Sequence, residues 1–200
     1  MYVPILVTAP TQKCVSLAEA KKHIRVDDTD SDALIQGYID AAISLIDGYK
    51  GSLGRCLEQQ TWSDYYDQFD TKLRINLAPV IDIASVKYND SNGVSQTVNS
   101  SNYQVLVDEL GPYVLFNQSF VFPTTQIGAG PPVSTTYDAG YAWSAANGST
   151  VPAAIRLAIK YIVGHWYESR ESVITGLRAA AIEVPFTYDA LIAPYRRVGF

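Results

Sequence analysis

Only two histidines and two cysteines occur among the 200 residues, and the shortage narrows the chemistry open to the chain. Nucleophilic catalysis needs a serine or cysteine held against a base, with a third group orienting that base. Two histidines leave few such arrangements, and no G-x-S-x-G elbow is present. Cys14 and Cys56 lie far apart and neither belongs to a C-x-x-C pair, so zinc and redox motifs lack their ligands and both residues read as free thiols. Basic residues are also in the minority, 15 Lys and Arg against 20 Asp and Glu, giving a formal net charge of −5. They are spread out, which does not support a tight, sequence-reading grip on nucleic acid through phosphate neutralisation. No stretch approaches the ~20 apolar residues of a membrane helix. The opening MYVPILVTAP has no basic region and is interrupted by Pro4, so it does not read as a signal peptide. Folding in a reducing cytoplasm is the expectation, which makes the Asn-x-Ser triplets at Asn89, Asn99, Asn117 and Asn147 chance matches.

What is present is apolar substance in quantity. Apolar residues make up 48% of the chain and charged ones 18%, the balance of a globular protein. The length suits one domain carrying a sizeable insertion. The order is helices, then strands, then helices, with no internal repeat. Ser16 followed by Glu19 is a capping box opening a short helix to about Arg25. Across 31–50, Leu34, Ile35, Tyr38, Ile39, Ala42, Ile43, Ile46 and Tyr49 draw one stripe on a long helix that Gly51 and Gly54 are expected to end. From 57 to 141 the spacing changes to alternation. Leu73, Ile75 and Leu77 face one way while Lys72, Arg74 and Asn76 face the other, with Pro79 closing the strand. Strands at 80–88 and 94–98 flank Asn92-Gly93, a pair suited to a tight hairpin turn. Further strands are expected at 103–107, 113–116 and 133–137, with loops at 123–132 and 142–150. The strongest helix follows, with Pro152 in its first turn and Ile155, Ile159, Ile162, Val163 and Trp166 on one face. That face is expected to pack against the other long helix. Pattern does not decide between loop and helix for 172–186, which is read as mobile. A last helix at 187–195 leads into an exposed-looking tail, Arg196-Arg197-Val198-Gly199-Phe200.

Each motif with chemical potential has a plainer reading that the residues favour. Asp28, Asp30 and Asp32 resemble the start of a calcium loop, but the sixth position is Ala33 where glycine is needed and the twelfth is Ile39 where glutamate is needed. Helix capping is the better reading. His165 and Glu168 stand one turn apart, yet a di-metal bundle site needs a second such pair and two more glutamates, and the chain supplies none. His23 reads as solvated surface. Gly48, Gly51 and Gly54 follow a helix, the wrong order for a phosphate cradle. Tyr65, Tyr66, Tyr137, Tyr141 and Trp143 could form a stacking platform for sugars or bases, but strand aromatics more often pack in a core. Phe120, Val121 and Phe122 form an apolar loop tip for which the sequence shows no core, which suggests a partner. No catalytic, cofactor or metal residue is assigned.

At both ends the residues resemble the head-tail connector, or adaptor, proteins of tailed bacteriophages and gene transfer agents. The first carriers are Ser16-Leu-Ala-Glu-Ala-Lys-Lys-His-Ile-Arg-Val-Asp-Asp, Asp32-Ala-Leu-Ile-Gln and Gln60-Thr-Trp62. The second set is Tyr137-Asp-Ala-Gly-Tyr141, Val151-Pro-Ala-Ala-Ile-Arg156, His165-Trp-Tyr-Glu-Ser-Arg-Glu171 and Leu191-Ile-Ala-Pro-Tyr-Arg196. The resemblance implies an α+β fold in a single domain over 1–200: a small helical bundle core from about 16–56 and 151–197, its two long helices packed together, with a central antiparallel β insertion at about 57–141. It also implies a structural virion protein of the neck, made in the host cytoplasm and not an enzyme. Such a subunit forms a homo-oligomeric ring of about twelve below the portal protein, from copies that in isolation are monomers or mixed oligomers. The ring joins the capsid to a tail-side neck protein, the stopper, and surrounds the exit channel of the double-stranded DNA. An acidic surface suits a passage through which DNA slides without sticking. By analogy with the family's portal-docking C-terminus, Leu191, Ile192, Tyr195, Arg196, Arg197 and Phe200 are candidate partner contacts, with Phe120 and Phe122 added from the loop. A stopper, head-completion protein or tail terminator is the alternative within the neck. A carbohydrate-binding module or small hydrolase is the alternative outside it.

Overall fold

Ser16 and Glu19 open the first helix in the way their spacing predicts. In the computed structural model, which describes residues 2–126, 128, 130–144, 148–169 and 186–197, the Ser16 hydroxyl accepts from the Glu19 amide at 3.2 Å and the Glu19 carboxylate accepts from the Ser16 amide at 3.0 Å. Two backbone donors that a helix start leaves open are thus satisfied. Helix α1 (Leu17–Ile24) ends at Arg25, which takes the left-handed conformation at φ 58°.

Helix α2 (Asp32–Ile46) buries Ile35, Ile39, Ala42 and Ile46 along the expected stripe, while Leu34 and Tyr49 at its margins are exposed. It stops before Lys50 and before Gly51 and Gly54, the terminators expected from sequence. The reason is local competition for hydrogen bonds. The Asp47 carboxylate accepts from the Leu57 amide at 2.6 Å and from Gln60 at 3.0 Å, and the Gly48 amide donates to the Arg55 carbonyl at 2.7 Å. These bonds fold residues 47–57 into a closed loop containing both later glycines.

Helix α3 (Ala153–Glu168) begins one residue after Pro152, whose carbonyl accepts from the Ile155 and Arg156 amides. Its buried Ile155, Ala158, Ile159, Ile162 and Val163 join the α2 stripe in one apolar cluster. Helix α4 (Phe186–Ile192) adds Tyr188 and Ile192 to the same cluster. The segment 172–186, read as mobile, lies outside the described residues except for Phe186, which opens α4.

The strands are β1 (Ile5–Thr8), β2 (Gln60–Tyr66), β3 (Lys72–Arg74), β4 (Val80–Asn89), β5 (Ser95–Thr97), β6 (Tyr103–Asp108), β7 (Gly111–Phe116), β8 (Val133–Ala139), β9 (Trp143–Ser144) and β10 (Gly148–Ser149). All pair antiparallel, in a five-stranded sheet of order β1-β2-β8-β4-β5, a three-stranded sheet β3-β7-β6 and the short β9-β10 pair. The two larger sheets share a second apolar cluster, including Leu73, Ile75, Leu77, Val86, Val114, Phe116, Val133 and Tyr137. The architecture is therefore mixed α+β.

Three expectations about the strands are corrected. Residues 5–8 form a strand where the sequence gives no sign of one: all four are exposed, so they carry no alternation to recognise. Asn76, expected on the solvent side, is buried. Its amide and side-chain nitrogens donate to the two oxygens of the fully buried Asp64, at 2.7 and 3.0 Å. The hairpin at Asn92-Gly93 is a longer loop than a two-residue turn. Gly93 does take φ 77°, but Asp90 organises the loop by accepting from the Asn92 and Val94 amides, and β5 is correspondingly shorter than 94–98.

Candidate protein-contact surfaces

The C-terminal segment is held by its own side chains. Tyr188 and Ile192 are buried in the helical cluster, while Leu191 and Tyr195 pack partly buried against it. Ile192, proposed from sequence as a contact residue, anchors the segment because none of its surface reaches solvent. Arg196 is exposed and pairs with Asp189 at 2.6 Å. Arg197 departs furthest from the exposed tail that the sequence suggested. Its amide donates to the Leu53 carbonyl at 3.0 Å, and its guanidinium donates to the carbonyls of Leu110 at 3.1 Å and Ile75 at 3.4 Å. Burial pushes its pKa down from the usual arginine value, against the pull of the Tyr137 and Asp64 side chains. Gly111 allows the approach: at φ 116°, an added Cβ would stand 3.1 Å from that guanidinium. Phe200 lies outside the described residues.

The loop at Phe120 has the core that the sequence did not reveal. Phe120 stacks on Phe116 with ring centroids 5.1 Å apart, and Phe122 stacks on Phe69 at 5.5 Å. The four rings form one aromatic cluster at the end of the sheet core. Only the outer side is presented, with Val121 at 85% exposure and Phe122 at 41%. Of the tyrosines considered as a platform, Tyr137 is fully buried, Tyr66 donates to the Arg74 carbonyl at 2.7 Å, and Tyr141 packs on the helical cluster. Trp143 alone among the named aromatics of that set is exposed.

The acidic run makes turns. Asp28 accepts from the Asp30 amide at 3.1 Å, and Lys21 joins the segment by donating to the Asp28 carbonyl and pairing with Asp32 at 2.5 Å. Ser31, at the N-cap of α2, makes no side-chain capping bond, so the capping expected of this run is replaced by the lysine tie. Among the described residues no group of three or more His, Cys, Asp or Glu is arranged to hold a metal ion. His23 is exposed and sets its edge against Tyr161 at 5.5 Å. Burial raises the Cys14 thiol to about 12, helped by the Glu58 and Asp47 carboxylates, and also raises Cys56. Both thiols stay protonated at neutral pH and are poor nucleophiles.

Sequence reasoning missed the residues that join the parts. Asp64, Asp47 and Arg197 each satisfy backbone groups elsewhere in the chain, and Asn76 adds a side-chain bond to Asp64. Burial raises the pKa of Asp64 and of Asp47, partly offset by the groups that hydrogen-bond to them. Beside β1 a mainly apolar groove of about 420 Å³ runs past Val3, Leu6, Ile43, Tyr49 and Trp62.

The matching family and the similar structures are those of structural particle proteins rather than enzymes. Residues 14–109, just under half the chain, match the family of phage gp6-like head-tail connector proteins. The chain resembles that family as its sequence suggested. No curated protein sequence matches the chain. Among solved structures, the fold is similar to a protein of the neck of an empty GTA particle computed with C6 symmetry, at a TM-score of 0.74 and 21% identity. It is similar as well to a chain of the virion of the native gene transfer agent particle, at 0.74 and 20%. A protein of the native GTA neck computed with C12 symmetry gives 0.72 and 20%. Each alignment covers 100% of this chain and 97% of the other. At that identity the likeness is one of fold.

Proposed function

We propose that this chain is a head-tail connector subunit of a tailed phage or phage-like particle. It forms a ring below the portal, joins capsid to tail through the portal on one side and a stopper-like protein on the other, and surrounds the channel through which DNA leaves. The observation that carries the reading is the connector-family match over residues 14–109 together with a fold likeness that runs the whole length of neck proteins. The C12 symmetry of one such neck supports a ring of about twelve copies. In this reading the helices α2 and α3 are the body, the strands between them are the family's variable insertion, and assembly takes place in the host cytoplasm before the protein enters the virion neck.

No chemistry is required of such a subunit; it acts through geometry and mass action. Copies with weak mutual contacts are ordered into a closed ring by a symmetric template. A net charge of −5 supports passage of DNA without a firm hold on it. Leu191, Tyr195, Arg196 and Phe200 at the C-terminus, and Phe122 beside Phe120 at the loop, are the partner-contact candidates. Arg and aromatic side chains anchor interfaces well. Ile192 and Arg197 contribute by holding the C-terminal segment in place. Mass photometry of the purified protein, alone and with its portal, tests the reading. Monomers or mixed oligomers alone and a defined ring with portal are expected; absence of any stable portal association would sink it.

A further inference from the structure

Among the described residues, two strand edges on different sheets are apolar and have no strand beyond them. Strand β1 ends the five-stranded sheet, and among the described residues no strand lies on its far side. Val3, Ile5, Leu6 and Val7 are all exposed there, Val7 by 57%, and none of the first twelve residues carries a charged side chain. Strand β6 ends the three-stranded sheet. It exposes Val105 and Val107, the latter by 75%, with Leu110 exposed at the hairpin turn beside it. The one charged residue of β6, Asp108, is engaged by Arg74 within the same chain.

We propose that these edges are the two halves of one contact between successive copies of this chain, with β1 of one copy seated on β6 of the next. The inference rests on the ring reading above and deepens it. A ring repeats head to tail, so every copy needs two different faces that fit each other. Natural sheets guard exposed edges with charges, prolines or bulges. Pro4, Pro10 and the bulge between Leu6 and Thr8 restrict backbone pairing along β1. The strand itself carries no charged side chain, although Lys13, Asp40 and Lys50 line the groove beside Val3 and Leu6. The contact is therefore made by apolar side chains, whose removal from water is the driving force, and an endless shared sheet is avoided. The apolar side chains of the two edges match each other, and Asp108, the one charged residue on either strand, is already paired with Arg74.

The size of the contact also suits a second copy in a ring. A four-residue strand is about 13 Å long. A patch of that length falls below the roughly 1,200 Å² of a stable standard interface. Each contact alone is weak, and closure of the ring adds the strength a single pair lacks.

Aspartate variants on each side test the pairing. Val7 and Val107 are exposed, so V7D and V107D are expected to keep the wild-type melting temperature and circular dichroism. Sedimentation velocity at rising concentration should show oligomers for the wild type and monomers for either variant alone. A mixture of V7D and V107D retains one intact edge on each copy, and should give dimers that grow no further. Trapping gives a second readout through V7C mixed with V107C under copper–phenanthroline oxidation, because the native thiols are buried. A disulfide-linked dimer should form several-fold faster than with V7C mixed with V121C. Oligomers that survive V7D and V107D, with no preferential trapping, would overturn the proposal and leave the ring reading standing. No self-association and no trapped dimer at any concentration would also overturn it, while ring formation on the portal is judged separately. Loss of another neck protein's binding in V7D, with self-assembly intact, would reassign the edge and overturn the proposal too.

Discussion

The helical cluster and the sheet cluster are closed by different means. The buried polar side chains among the described residues, Glu58, Gln60, Ser63, Asp64, Asn76 and Thr135, all belong to the strands and their connections, and none lies on a helix. A helix satisfies its inner backbone groups by itself, so its buried face can be pure hydrocarbon. The chain leaves β3 after Arg74 and runs irregularly to Pro79, and the Asn76 amide there has no ladder partner. A carboxylate, Asp64, is drawn into the core to accept from it. The helical half can thus be read as a pattern of volumes, whereas the sheet half depends on one acceptor in one place.

That contrast is broken most forcefully on the helical side. Ile159→Ala, at a site with no exposure, should cost about 2–5 kcal/mol by removing packed methylenes and leaving a cavity. Urea unfolding should show the loss with an unchanged m-value. On the sheet side the damage is polar. Asp64→Asn turns one of the two acceptor oxygens into a donor facing Asn76, and should destabilise by about 1–3 kcal/mol.

The same variant sharpens the comparison through pH. Burial raises the pKa of Asp64. Between the ordinary carboxylate range and that raised value the folded chain holds a proton that the unfolded chain has released. Asp64 therefore lowers stability as pH rises through its folded pKa, and this loss is absent below its unfolded pKa. The wild-type advantage over Asp64→Asn should shrink as pH rises from the ordinary carboxylate range through that raised value, and a gap that widens instead would contradict the assignment.

Smaller effects are expected at the edges of each half. Arg197→Ala removes guanidinium bonds to two carbonyls. A loss of about 1–2 kcal/mol is expected, with faster amide exchange across α4 as the telling measurement. Ser16→Ala removes the cap of α1 and should cost about 1 kcal/mol, read as a lowered thermal midpoint.

The same contrast explains which parts the sequence made legible. The stripes on α2 and α3 and the capping box at Ser16 and Glu19 depend on residues three and four apart, so a local window contains the whole signal. Leu73, Ile75 and Leu77 were legible for the same reason at period two. The loop at 47–57 was not, because Asp47 ends α2 by bonding to Leu57 and Gln60, and nothing near Asp47 announces those partners. Asp64 and Asn76 stand 12 residues apart, and Arg197 reaches Ile75 across 122. Phe120 looked like a free tip because Phe69, which completes its cluster with the nearby Phe116, arrives from the distant connection between β2 and β3. The candidate contacts were legible as residue types, but whether each faces water or core was decided by such distant pairings.

The bonds of Arg197 have a mechanical consequence. Leu53 belongs to the loop after α2, while Ile75 and Leu110 belong to the sheet half. A tug at Arg197 is therefore shared by both halves at once, the loop after α2 loaded through the residue's amide and the sheet half through its guanidinium.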